Sequence, residues 1–223
     1  MTYVLEQLIV HLHVAAGFFW FLWRFAVVWP ESFRWSPGSL LGFSWLLFAG
    51  YWFVTALGAK KPSKQEEPRA RLAYVAYMVV GFFLLYDPAP PLLGLLNRRF
   101  VSDAPAIPWL GGWLALGGVL FAVWARATIG RNWSAEVQIK QDHQLIRTGP
   151  YAHIRHPIYT GILMAVAGSA LAIGEYRALL GLVVLGLGFA RKAKKEERLL
   201  SAQFGPAFAE HQRHTGFFLP RFS

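Results

Sequence analysis

The run GPYAHIRHPIYTGILMAVAGSALAIGEYRALLGLVVLGLGFARKAKKEERLL, residues 149–200, decides how this chain is read. Two apolar stretches, 158–173 and 176–190, are separated only by Gly174-Glu175, which predicts a tightly connected helical hairpin. Before the hairpin stand Tyr151, His153, Arg155, His156 and Tyr159; after it stand Glu196 and Glu197 among lysines. A hairpin returns the chain to the level it left. Arg155 and His156 are therefore expected beside Glu196 and Glu197, about one helix diameter away, although some forty residues separate them in sequence.

Further apolar runs lie at 4–29, 38–58, 72–96 and 108–127. The third is interrupted by Asp87-Pro88-Ala89-Pro90-Pro91, so its helix is expected to end near Tyr86, with a short interfacial piece after it. The chain is 55% hydrophobic and only 15% charged, against about a quarter charged in soluble domains. Together these features predict an all-α integral membrane protein of about six transmembrane spans, the last two forming the hairpin. Residues 4–29 lack a positive leading region and a small-residue cleavage site, which reads as a retained span. We divide the chain into N-terminal transmembrane helices, 1–110, without a motif, and a C-terminal region, 111–223, which carries the chemistry.

The net charge of +10 comes from basic residues placed between the apolar runs. Segments 60–71, 126–157 and 191–223 hold five, five and seven Lys/Arg, and the alternate loops hold only four. The positive-inside rule then puts both termini and the motif-bearing segments in the cytoplasm, at the inner or plasma membrane if the chain is bacterial. The same distribution argues against nucleic acid as a partner. With no cysteine, disulfides, thiolate metal sites and a catalytic thiol are excluded.

Cations, imidazoles, carboxylates, aromatic rings and apolar walls at a membrane surface suit a zwitterionic, nucleotide-like ligand. An ion path would place its charges in mid-membrane instead. The pairs His153/His156 and His211/His214 lack the thiolates or carboxylate register of a zinc site, and we assign no metal. Gly186-Leu187-Gly188 sits inside an apolar helix with no preceding strand, so with Gly181 it reads as a helix-packing feature.

Gly130-Arg131-Asn132-Trp133, Asp142-His143-Gln144-Leu145, Gly149-Pro150-Tyr151, Arg155-His156-Pro157-Ile158-Tyr159-Thr160-Gly161 and Glu196-Glu197 with Leu199-Leu200 and Phe204-Gly205 form a pattern over about residues 120–220. It resembles the membrane methyltransferases of the isoprenylcysteine carboxyl methyltransferase and phospholipid methyltransferase type. The resemblance implies S-adenosyl-L-methionine as cofactor, bound on the cytoplasmic side between the segment before the hairpin and the segment after the last span. It also implies a lipophilic acceptor arriving from the bilayer.

For such a cofactor, Arg155 and His156 are candidates for its carboxylate. Glu196 or Glu197 could accept from its ribose hydroxyls. Leu145, Tyr151 and Tyr159 offer walls for the adenine, and Gly149 allows close backbone approach. His143 is expected to donate from the other wall. Arg131, Asn132 and Glu136 are expected to face the acceptor, and Arg131, Asn132 and His143 are the candidate catalytic groups. A carboxylate acceptor needs no base, whereas a thiol or an ammonium does, and His143 or a glutamate is nearest to supply it. Two other readings fit the layout: an NADPH-dependent membrane reductase like the sterol reductases, and a non-enzymatic membrane subunit whose charged residues only anchor it. A reporter fused after Ser223 is expected in the cytoplasm; finding it on the far side would overturn the orientation.

Overall fold

The computed structural model describes residues 35–57, 68–87, 91–130 and 145–222. Their architecture is all-α: α1 (Pro37–Leu57), α2 (Pro68–Tyr86), α3 (Ala106–Ile129), α4 (Pro157–Ile173), α5 (Tyr176–Phe204) and the short α6 (Pro206–His214). Single 3-10 segments cover Pro91–Asn97 and Gly149–Ala152. The expected runs at 38–58, 108–127 and 158–173 each become a helix. The third run breaks after Tyr86, where Asp87 and the prolines that follow stop it. The run at 4–29 lies outside the described residues.

The expected count of six spans is reduced to a coarser result. Among the described residues, two helical stretches are long and apolar enough to cross a membrane, Pro37–Thr55 and Ala106–Ile129; Val75–Tyr86 and Pro157–Ile173 are shorter apolar helices. The outward faces carry Phe43, Phe53, Val79, Phe83, Trp113, Leu120, Trp124, Val183 and Leu187, all more than one third exposed. Such a surface suits lipid better than water.

α3 packs most extensively on α4, α2 on α5 and α1 on α3, while the two hairpin legs, α4 and α5, touch each other less. Small residues make the first of these contacts possible. Gly111, Ala115, Gly118 and Ala122 on α3 face Gly161, Ala165, Gly168 and Ala172 on α4, so close that an added Cβ on Gly118 would sit 2.4 Å from the Ala165 nitrogen. One on Gly168 would sit 2.4 Å from the Ala115 nitrogen. Without a hydrophobic force between helices in lipid, such close backbone contact holds them together. Gly181 faces the Gly81 carbonyl and Gly188 faces Tyr77 on α2, as packing glycines should, whereas Gly186 has only Leu163 at 4.0 Å.

Buried polar groups tie the helix ends. Trp45 of α1 donates to the Ser169 hydroxyl of α4 at 3.0 Å, and Tyr86 of α2 lies 3.4 Å from the same oxygen. At one end of the bundle Arg126 donates to the carbonyls of Gly130, at 2.8 Å, and Thr55, at 3.3 Å, joining the C-termini of α3 and α1. At the other end Arg177 pairs with Glu175 at 2.6 Å and caps the Leu84 and Leu85 carbonyls of α2 at 3.2 and 2.8 Å. Gly174 makes the hairpin turn with φ of 74°, a left-handed conformation that favours glycine.

The α3–α4 contact yields a direct comparison. Gly118→Ala is expected to destabilise the folded protein by about 1–3 kcal/mol, because backbone must move to admit the methyl. Gly117→Ala, whose Cβ would meet nothing within 4 Å, is expected to leave the melting temperature unchanged or raise it. Equal melting temperatures for the two variants in detergent would contradict this packing.

Candidate ligand site at the hairpin base

The chain reaches the hairpin through a tight, proline-marked approach. Gly149, with φ of 57°, starts the 3-10 turn Gly149–Ala152, and its Cα passes so near α3 that a Cβ would lie 3.2 Å from Thr128. His156 caps α4, and Pro157 occupies its first turn, where a missing N–H costs nothing. On the return, α5 does not stop at residue 190, where its apolar run ends. It continues to Phe204 as one helix of 29 residues. Arg, Lys and Glu are good helix formers, so loss of apolarity ends the buried face without ending the helix. Glu196 and Glu197 ride on this extension.

The hairpin brings the two sets together. Arg155 Nε donates to Glu197 Oε1 at 2.6 Å, and His156 Nε2 lies 3.2 Å from the same oxygen. On the other side of the ring, His156 Nδ1 lies 3.6 Å from Glu196 Oε2. Tyr159, one turn into α4, donates its hydroxyl to Glu196 Oε1 at 2.5 Å. The His156 ring stacks on Tyr159 with 5.7 Å between centroids, and Tyr159 meets Phe189 at 4.9 Å. Lys192 approaches the face of the Tyr159 ring at 5.7 Å.

With a carboxylate facing each ring nitrogen, the geometry calls for both to carry protons. Burial is the largest single influence on His156 and pushes its pKa down; hydrogen bonds and charge from Glu196 and Glu197 outweigh it, so the net shift is upward. The glutamates mirror this. Burial pushes both carboxyls up, but the hydrogen bond from His156, with Lys192 and Tyr159 for Glu196 and Arg155 for Glu197, brings both below the usual value. Tyr151 is buried in the core, and desolvation first, then the Glu196 charge, pushes its hydroxyl up.

Arg155, His156, Tyr159, Glu196 and Glu197 thus form one cluster. Tyr151 packs in the core nearby, Gly149 lies against the end of α3, and Leu145 is half-buried at the start of this described segment. Arg131, Asn132, Glu136 and His143 lie outside the described residues. Among the described residues no three His, Asp or Glu side chains are grouped to hold a metal ion; His153 lies against Phe222 and His214 pairs with Glu210.

Sequence reasoning missed the third wall. Gln212 donates to Glu197 Oε2 at 3.2 Å, and the Gln212 and Thr215 carbonyls accept from Arg155 Nη1. His211 is buried on α6 next to Phe208, its pKa pushed down to about 4 by burial and then by Arg147 and Arg155. The Phe-Gly helix end and the apolar Phe217-Phe218 pair were the available signals, but neither is charged.

These shifts predict a two-sided pH dependence of stability. His156, raised in the folded state, contributes fully below its ordinary value of 6.5, and that contribution is lost as pH rises through the folded value. Lowered Glu196 and Glu197 contribute above 4.5 and lose it as pH falls through their folded values. His211, lowered to about 4, favours folding above 6.5 and gives that up between 6.5 and 4. His211→Phe is expected to flatten the decline in melting temperature between pH 6.5 and 4; an unchanged acid limb would exclude His211 as its source.

A family comparison falls on this region. The model of the isoprenylcysteine carboxyl methyltransferase (ICMT) family matches residues 112–202. The cobalt-zinc-cadmium resistance protein CzcN of Cupriavidus metallidurans is 35% identical over 100 residues, 44% of this chain and 45% of that protein. The protein-S-isoprenylcysteine O-methyltransferase of Schizosaccharomyces pombe is 31% identical over 105 residues, 46% of this chain and 44% of the relative. The chain spans about half the length of the curated relatives it matches. A solved structure of the eukaryotic intramembrane Ras methyltransferase ICMT superposes with a TM-score of 0.47 at 22% identity, covering 72% of this chain and 56% of that one. Residues 112–202, which carry the Arg-His-Pro segment and both glutamates, are thus similar to the isoprenylcysteine carboxyl methyltransferase family.

Proposed function

We propose that this protein transfers a methyl group from S-adenosyl-L-methionine to a lipophilic acceptor at the cytoplasmic face of a membrane. The acceptor is a prenylcysteine-like carboxylate, a phospholipid amine, a thiol or another small hydrophobic molecule. The observation that carries the reading is the cluster of His156, Tyr159, Glu196 and Glu197 at the hairpin base, inside the family-matched region. Its chemistry fits the cofactor. Two carboxylates held ionised by an imidazolium can accept from ribose hydroxyls or an ammonium. With both ring nitrogens turned to the glutamates, the His156 imidazolium offers a ligand carboxylate its charge and not a hydrogen bond, and the Tyr159–Phe189 rings give a nucleobase an apolar wall.

When bound, S-adenosyl-L-methionine supplies a methyl group on a sulfonium that leaves as a neutral thioether, so no strong acid is required. The chain's own task is to orient and to exclude water. Tyr159 and His156 hold the glutamates in one geometry; the apolar helix faces keep the site dry on the bilayer side. Arg131 and Asn132, with Glu136, keep their expected place facing the acceptor, and His143 donates from the other wall. For a carboxylate acceptor they need only position it; for a thiol or ammonium, His143 would take the proton.

A reductase binding NADPH would have to bring an anionic dinucleotide against Glu196 and Glu197, and Arg155 and His156 are already engaged with those glutamates. That charge pattern favours the cationic sulfonium ligand.

Calorimetric titration of S-adenosylhomocysteine into detergent-purified protein tests the reading. Saturable micromolar binding is expected, weakened about tenfold or more, or some 1.4 kcal/mol, by Glu197→Ala. NADPH is expected to give no heat. Binding of NADPH instead would replace this reading with the reductase, and binding of neither to folded protein would leave the non-enzymatic subunit.

A further inference from the structure

The C-terminal segment after α6 crosses the approach to α4 and is stitched to it by backbone. Gly216 N donates to the His153 carbonyl at 2.9 Å, Arg155 N to the Gly216 carbonyl at 2.9 Å, and His156 N to the Phe217 carbonyl at 3.3 Å. Ile154 and Gly216 form a parallel bridge, and Thr160 Oγ1 donates to the Phe218 carbonyl at 2.7 Å. The Phe217 ring meets the His156 ring edge-on at 5.1 Å, and the Arg155 guanidinium lies 5.7 Å from the same ring.

Arg155 joins this segment to α5. Its Nε holds Glu197 Oε1 at 2.6 Å, while its Nη1 donates to the carbonyls of Gln212, at 3.3 Å, and Thr215. One planar fork therefore spans α4's approach, α5 and the segment beyond α6. A lysine in its place has a single ammonium and lacks that fork.

We propose that Arg155 is a positioning residue: it binds the segment Thr215–Phe218 to Glu197, and the segment in turn fixes the His156 ring that the ligand uses. Ligand affinity then depends on residues beyond the family-matched stretch that ends at 202. This role differs from the direct carboxylate contact expected of Arg155 from the sequence, and it rests on the methyl-transfer reading only for the identity of the ligand.

Gly216 gives an independent handle. A Cβ there would lie 1.8 Å from the Leu219 carbonyl oxygen, so Gly216→Ala must open the turn at 216–219, yet glycine has no side chain to offer a ligand. The experiment compares wild type, Arg155→Lys, Gly216→Ala and the double variant in two measurements. The first, without ligand, is the rate of tryptic cleavage after Arg213 and Arg221, which is expected to rise several-fold in each variant. The second is S-adenosylhomocysteine affinity, expected to fall about tenfold in each single variant and little further in the double, because both act on one coupled unit.

Arg155→Lys that is cleaved at the wild-type rate would overturn the proposal. So would folded variants that bind as wild type does, or losses that multiply in the double variant. If Gly216→Ala fails to fold, Arg155→Lys decides alone. Wild type that takes up no S-adenosylhomocysteine would remove the methyl-transfer reading, while the cleavage rates still judge the clamp.

Discussion

Two neighbouring carboxylates cannot leave water together unless cations come with them, and this constraint organises the hairpin base. Glu196 and Glu197 are adjacent on α5, yet both are partly buried. Removing ions from water costs several kcal/mol each, and their attraction repays that only with good geometry and further hydrogen bonds. Here the repayment comes from the approach to α4: Arg155 and His156 for Glu197, and His156 and Tyr159 for Glu196. The length of α5 follows. At 1.5 Å per residue, α5 must run beyond its apolar half before its glutamates regain the level of Pro157.

Packing has to deliver those groups in register without much help from the hairpin itself. α4 is seated mainly on α3 and α5 mainly on α2. The α3–α4 seam is set by small residues whose neighbours are backbone atoms, which leaves little room for sliding. Trp45, Tyr86 and Ser169 add a directional polar contact among three helices. The site therefore belongs to the bundle as a whole, including helices on the N-terminal side of residue 110.

Much of this was legible in the residues. Asp87 and its prolines announce the end of α2, Gly174 announces the turn, and the return of a short hairpin predicts that Arg155 and His156 meet Glu196 and Glu197. Periodicity could not show where α5 ends, because Lys, Arg and Glu propagate a helix as readily as leucine does. Nor did Gly111, Gly118, Gly161 and Gly168 stand out as a seam, since each is ordinary in its own helix and gains meaning only opposite its partner. The contribution of residues 211–218 was hidden for another reason. Backbone carbonyls and hydrogen bonds do most of its work, and these leave no mark on side-chain identity.

Arg177 has a consequence for how the protein is assembled during synthesis. The Leu84 and Leu85 carbonyls at the end of α2 receive their hydrogen bonds from a residue made 93 and 92 positions later. While the intervening chain is being inserted, the end of α2 holds its carbonyls without that cap, and water or headgroups must serve them. Only when the final hairpin arrives does Arg177 replace those temporary partners. The last two helices thus complete the second one, and a chain halted before Arg177 would leave α2 unfinished rather than merely alone.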